Sequence, residues 1–283
     1  MKHLNKYLNT NIPWTESPLF NFDLNKKNKK YHQLAKKYNQ DGYVVIDLKL
    51  DKNLIRKIDN DLNSKIKNND FKKNPKMFHY NDSPRVIEAW KFSQNVKKLA
   101  MNKKILGILQ FLYEKKPIPI STINFLKGTE QPLHSDYMHF ASMPPLYLAG
   151  AWVALEKTNK FNGPIVLVPG SHKLPIVDYN TLGVKKPKSL KSLKKSYRHY
   201  ENYIKKIIKI KRFKKKKIYV RQGQAIIWAA NLLHGGSKMI KKNSTRKSQV
   251  IHYHFDKCEF YYNPSFSNPS EGEFAKRKYE EIK

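Results

Sequence analysis

Residues 117–136 read PIPISTINFLKGTEQPLHSD. β-Branched and aromatic residues fill Ile118 to Phe125, which predicts a strand. Gly128 to Pro132 carries turn residues, and the segment then delivers His134-Ser135-Asp136. Residues two apart on an extended segment project to the same side, so His134 and Asp136 can reach one point in space.

The same pattern repeats outward from this stretch. Tyr147 to Leu155, Ile165 to Val168, Lys217 to Val220, Ala225 to Ala229 and Ser248 to Phe255 are short strand-like runs. Turn clusters such as Asn162-Gly163-Pro164 and Arg221-Gln222-Gly223 separate them. Upstream the periodicity is helical. Lys27 to Tyr38 predicts a helix ending near Asp41-Gly42, followed by a strand at Tyr43 to Ile46. Leu54, Ile55, Ile58, Leu62 and Ile66 mark an amphipathic helix, and Asn95 to Tyr113 reads as another. Residues 1–25 read as irregular, with Pro13, Trp14 and Pro18 pinning them to a surface. Helices followed by many short strands predict an α+β fold, with a β-sandwich or jelly-roll core carrying helices on one side. Residues 1–283 read as a single domain, since no repeat and no Gly/Ser or Pro-rich linker divides them.

Composition narrows the class. The 283 residues include 56 Lys+Arg against 22 Asp+Glu, a formal net charge of +34. A hydrophobic fraction of 40% with 12% aromatics is incompatible with a disordered chain despite that charge. The absence of any 18-residue apolar run argues against a membrane span. Met1 to Phe20 is polar and has no signal core. The single cysteine, Cys258, permits no internal disulfide, which fits a cytoplasmic location.

Of the basic residues, 49 are Lys and only 7 are Arg. Base and phosphate recognition favours the forked guanidinium, so the charge alone is weak grounds for nucleic-acid binding. The densest block, Val184 to Lys217, holds 14 Lys and 2 Arg against one acid, Glu201. Tyr203, Ile204, Ile207, Ile208 and Ile210 predict a helix with an apolar face there. This basic insertion reads as a solvated surface or as a lid that favours an anionic substrate. A nucleic-acid-binding alternative would use its lysines on phosphates and Tyr197, Tyr200, Tyr203 and Phe213 as stacking surfaces.

The chemistry-bearing residues recur in a set order. His234 lies 100 residues after His134, behind the strand-like Ala225 to Trp228 and before Gly235-Gly236. Two imidazoles and one carboxylate form the facial triad of non-haem Fe(II) oxygenases, which leaves coordination positions open. Twelve residues on stands Arg246, followed by Ser248. A guanidinium with a nearby hydroxyl makes a clamp for the distal carboxylate of 2-oxoglutarate. Asn124 is expected to face the pocket by strand alternation.

Several linked blocks resemble the phytanoyl-CoA dioxygenase family of Fe(II)/2-oxoglutarate oxygenases. They are Asp41 to Ile46, Gly128 to Asp136, Gly150 to Glu156, Asn162 to His172, and His234 to Ser237 followed by Arg246. The resemblance covers roughly residues 40–256 and implies a double-stranded β-helix, the cupin-like jelly roll, with supporting N-terminal helices. It implies His134, Asp136 and His234 as iron ligands, Arg246 as the 2-oxoglutarate anchor and Trp152 as a co-substrate-lining residue. The implied cofactors are Fe(II), 2-oxoglutarate and O2. The implied reaction is hydroxylation of a C–H bond in a small metabolite with release of succinate and CO2. Asp136 stands where halogenating relatives carry a small residue, so a hydroxylase is expected. The insertion 184–217 and the tail after Asp256 depart from the family pattern.

Overall fold

The computed structural model describes residues 11–67, 77–80 and 83–283; the expectation for residues 1–10 lies outside them. The N-terminal part contains α1 (Phe20–Leu24), α2 (His32–Asp41), β1 (Tyr43–Asp47), α3 (Lys52–Lys67), β2 (Met77–Tyr80), β3 (Ser83–Ile87), α4 (Gln94–Ala100) and α5 (Lys103–Tyr113). The remainder contains β4 (Pro117–Phe125), β5 (Ala141–Met143), β6 (Leu148–Ala154), β7 (Ile165–Leu167), α6 (Leu190–Ile210), β8 (Lys216–Ile218) and β9 (Gln224–Ala229). It ends with β10 (His234–Gly236), β11 (Ser248–Phe255), β12 (Phe260–Tyr262) and β13 (Lys276–Arg277).

Local chemistry explains where the helices depart from expectation. The run Asn95 to Tyr113 splits in two because Asn102 restarts it. Its Oδ1 accepts from the backbone N–H of Lys104 and Ile105 at 3.0 and 3.3 Å, capping α5. Ser93 caps α4 by accepting from Val96 N. The helix expected from Lys27 begins only at His32, behind a 3-10 turn at Lys29–Tyr31 whose N-cap is Asn28. Residues 11–25 are more ordered than an irregular pinned segment. Trp14–Glu16 forms a 3-10 turn, and the buried Trp14 indole donates to Phe111 O at 3.0 Å.

Seven strands pair in the order β1-β9-β6-β11-β4-β3-β2. Three more pair as β10-β7-β8, and the isolated bridge His134↔His234 adds the ligand loop to that smaller sheet. From β4 onward the chain passes back and forth between these two sheets, with β7 and β8 successive in the smaller one, and the pairs are antiparallel. This is the double-stranded β-helix, a jelly-roll core within an α+β fold.

The central strands β6 and β9 are covered on both faces, and they are almost wholly apolar. In β9, Ala225, Ile227 and Ala229 pack in the cluster that includes Ile55, Ile58 and Leu62 of α3 and Leu109 and Leu112 of α5. Ile226 and Trp228 point the other way, toward Ile165, Leu167 and Ile218 of the small sheet. The site lies on this inner side.

Helix α6 occupies most of the basic insertion. Tyr200, Ile204 and Ile208 are buried against Met138, Val168, Tyr179 and Leu233. Ile210 is 73% exposed, because six residues past Ile204 it has rotated off the apolar face. The tail is built in as well. β12 lies between β5 and β13, and fully buried Ile282 donates its N–H to Pro119 O at 2.9 Å. Among the described residues, no helix is long and apolar enough to cross a membrane.

Candidate active site

Two strands of different sequence origin are tied together at the ligand positions. His134 N donates to His234 O and His234 N donates to His134 O, both at 2.9 Å. The approach is close enough to require glycine next door: a Cβ on Gly235 would fall 2.6 Å from Gln131 O. Ser135 is extended, with φ −106° and ψ 137°, and its hydroxyl turns away to donate to Ala230 O at 3.0 Å. His134 and Asp136 therefore share the opposite side. One ligand atom from each of His134, Asp136 and His234 lies within 4.8 Å of the others, and all three residues are buried.

The tautomers follow from the backbone. His134 Nδ1 lies 2.9 Å from Pro132 O, and His234 Nδ1 lies 2.9 Å from Leu232 O. A carbonyl only accepts, so each Nδ1 carries a proton and each neutral ring presents its Nε2 lone pair. These atoms sit 3.9 and 3.5 Å from Asp136 Oδ1. Two lone pairs and a carboxylate on one side suit Fe(II), with the far side left for other ligands.

The charges are coupled. Burial, and then the His234 charge, pushes His134 down to about 3. Burial alone would raise Asp136, but His234 and His252 outweigh it and hold this carboxylate well below its ordinary range. Burial opposes protonation of His234, yet Asp136 beside it lifts its pKa above the ordinary value.

The cluster lines a cavity of ≈ 570 Å³, a volume suited to a small ligand. Arg246 and Trp152 line the same cavity, with the guanidinium carbon 5.2 Å from the Trp152 ring centroid. Arg246 donates over long distances of 3.4 Å to Ser248 Oγ and Lys127 O, and among the described residues its Nε has no partner. Burial lowers its pKa to about 10. A buried guanidinium so weakly matched is suited to a carboxylate.

Two expected residues lie elsewhere. Asn124 does not line the cavity; Ile123 and Phe125 do, and alternation turns Asn124 outward, where its Nδ2 donates to Gln249 Oε1 at 3.2 Å. Ser248 does not line it either. Arg246 precedes β11, so strand alternation does not relate the two, and the Ser248 hydroxyl accepts from the arginine instead.

Other residues around the site escaped sequence reasoning. Trp228 Nε1 donates to Asp136 Oδ2 at 2.8 Å, and His252 Nε2 lies 3.5 Å from the same oxygen. Gln131 Nε2 donates to His134 Nε2 at 3.2 Å, and Arg85 holds that amide by donating to Gln131 Oε1 at 2.8 Å. The backbone N–H of Ser135 donates to Tyr200 Oη at 2.9 Å. Trp228 and His252 are recognisable in sequence as strand residues, but nothing local marks their contact with Asp136. The lysine-rich stretch hid Tyr200. Of two further histidines, His139 lines the cavity, whereas His172 is held by Asn39 O at 3.0 Å outside it.

Comparison with known proteins agrees with this geometry. The chain is 32% identical over 106 residues to a probable phytanoyl-CoA dioxygenase of Caenorhabditis elegans, covering 37% of this chain and 30% of the relative. It is 27% identical over 107 residues to the peroxisomal phytanoyl-CoA dioxygenase of Rattus norvegicus, covering 38% and 28%. The matched stretch thus spans less than a third of either relative. The fold resembles the epimerase SnoN in complex with Fe3+, alpha ketoglutarate and nogalamycin RO, with TM-score 0.63, 17% identity and coverage of 90% of this chain and 99% of that one. It also resembles EctD from S. alaskensis with 2-oxoglutarate and 5-hydroxyectoine, with TM-score 0.62, 18% identity and coverage of 88% and 84%. The Phytanoyl-CoA dioxygenase family model matches residues 38–248, from the end of α2 to the first residue of β11. That span takes in both histidines, Asp136 and Arg246 in their expected order, and the chain belongs to the phytanoyl-CoA dioxygenase family.

Proposed function

We propose that the protein is an Fe(II)- and 2-oxoglutarate-dependent dioxygenase that hydroxylates a C–H bond of a small metabolite. The observation that carries this reading is the buried meeting of His134, Asp136 and His234 in a cavity shared with Arg246. In this role the three residues hold Fe(II), and Arg246 grips the distal carboxylate of 2-oxoglutarate while Trp152 packs beside it. When bound there, iron would supply the activation of O2, in a reaction whose balance places one oxygen atom in succinate, formed with CO2, and the other in the hydroxylated product. The chain's own contribution is geometry. Pro132 O and Leu232 O fix the two imidazoles, Trp228 fixes the carboxylate, and the apolar wall excludes water.

Hydroxylation is the proposed outcome because Asp136 keeps a carboxylate in the ligand set. The solved structures of similar fold include an epimerase and a carbocyclase, so product analysis is needed beside co-substrate turnover. A cytoplasmic setting is part of the proposal and is supported by the single, free cysteine Cys258. The nucleic-acid alternative loses its stacking surfaces, since Tyr200 is buried and Tyr197, Tyr203 and Phe213 pack against the same cluster.

The test mixes purified protein anaerobically with Fe(II), 2-oxoglutarate and a panel of small metabolites, then admits O2. Succinate and CO2 should form only with iron and oxygen present, and one panel member should gain a hydroxyl group. No iron binding, and no succinate with any member, would overturn the proposal.

A further inference from the structure

Charge in the cavity wall is lopsided. Among the described residues, three of the seven arginines, Arg85, Arg246 and Arg277, line it, against one carboxylate, Asp136. Under the iron and 2-oxoglutarate reading, on which this inference rests, Asp136 faces the metal and Arg246 faces the co-substrate. Arg85 lies on the Phe125 side, 5.4 Å from that ring centroid, and donates to Gln131.

Arg277 belongs to a different wall. It comes from β13, in the tail beyond the family match, and lines the cavity with Asn263, His139, Phe140 and His252. Arg277 and His139 line the same cavity; burial is the main cause that pushes His139 down to about 4, and the Arg277 charge adds to it. Arg277 remains exposed, and among the described residues no carboxylate lies within ion-pair distance of it. In a chain that uses Lys for 49 of its 56 basic positions, a forked cation at this mouth is chemically distinct. The cavity lining also includes the apolar side chains of Phe140, Val250, Ile123 and Ile87. The described lysines of α6 do not line this cavity.

We infer that the substrate carries an anionic head group, a carboxylate or a phosphate monoester, on an apolar body, and that Arg277 grips that head group at the cavity mouth. The metal would then face the apolar part of the molecule, where an unactivated C–H bond lies. The lysine-rich insertion has no direct part in this recognition.

The experiment uses Fe(II)-loaded protein kept anaerobic and saturated with N-oxalylglycine, which occupies the Arg246 end without turnover. Octanoate, octyl phosphate and octanamide are titrated in turn, and fluorescence of the cavity tryptophans Trp152 and Trp228 reports binding. One or both anions should bind about tenfold more tightly than octanamide, and the favoured anion identifies carboxylate or phosphate. Arg277→Gln should remove that preference while still binding N-oxalylglycine, and Arg277→Lys should keep part of it. Changing Lys205, Lys206, Lys209 and Lys211 together to Gln should leave the preference intact. The inference fails if octanamide binds as well as the anions, if the preference survives Arg277→Gln, or if the lysine variant loses it equally. Failure of N-oxalylglycine to bind the unaltered protein would instead bring down the co-substrate reading. The same titrations in an Arg246→Gln background, without N-oxalylglycine, then decide the role of Arg277 separately.

Discussion

The indole N–H of Trp228 donates to Oδ2 of Asp136 at 2.8 Å, which leaves Oδ1 facing His234 Nε2 at 3.5 Å. One carboxylate oxygen is thus held by β9 while the other is presented to the ligand cluster. The ring has room because position 150 is glycine: a Cβ there would come within 2.3 Å of the indole. Trp228→Phe keeps an aromatic ring but deletes the donor. Metal affinity should fall by about 10- to 100-fold, the usual cost of removing a partner that orients a ligand. Co(II) titration measures it, and an unchanged affinity would show that Asp136 is oriented by other means.

Metal uptake should depend on pH through one proton. His234 is raised above its ordinary pKa by Asp136, although burial opposes this, and its Nδ1 proton is committed to Leu232 O. The extra proton therefore sits on Nε2, where the metal must bind. Below the raised pKa, binding displaces that proton, so log affinity should rise by about one per pH unit and flatten above it. His134, at about 3, is already neutral in this window and adds nothing to the slope. Co(II) titrations from about pH 6 upward check this; a flat profile or a two-proton slope would contradict it.

Sequence legibility followed burial. Strands β6 and β9 are covered on both faces and stand out as apolar runs in the sequence, whereas β4 and β11 are marked by their β-branched and aromatic residues. β5, β12 and β13 span three, three and two residues, and their pairing depends on tertiary contacts that no local pattern records. Within the site, His134, Asp136, His234 and Arg246 were legible because their order and spacing carry the chemistry. Asn124 was misplaced by one step of strand parity, and Ser248 because the arginine before it lies outside the strand. Trp228 was visible only as a strand residue, since its meaning lies in a contact with a residue 92 positions away.

Arg246 offers a sharper test than deletion. Its guanidinium is buried beside Trp152 and Phe125, with Nε unsatisfied among the described residues. Arg246→Lys keeps the charge but replaces the planar fork with a single ammonium group. The KM for 2-oxoglutarate should rise about tenfold or more, equivalent to ~1.4 kcal/mol, while iron affinity measured without co-substrate stays the same. Equal KM values in both proteins would remove Arg246 from the co-substrate site.

The basic insertion acts on the site through its buried aromatic face. Tyr200 Oη accepts from Ser135 N, the peptide N–H between His134 and Asp136, at 2.9 Å. Tyr197 Oη lies 3.2 Å from His139 Nε2. Lys195, Lys205, Lys206 and Lys209 of α6 are exposed, so charge and support are separable. Tyr200→Phe preserves the packing and leaves the Ser135 N–H without its acceptor, at a cost of about 1–3 kcal/mol. Urea denaturation should show that loss. Metal affinity should fall as well, because the freed peptide joins two of the three ligands. Replacing Lys205, Lys206 and Lys209 by Gln should change neither quantity. If Tyr200→Phe lowers stability but leaves metal affinity intact, α6 buttresses the fold without tuning the ligand turn.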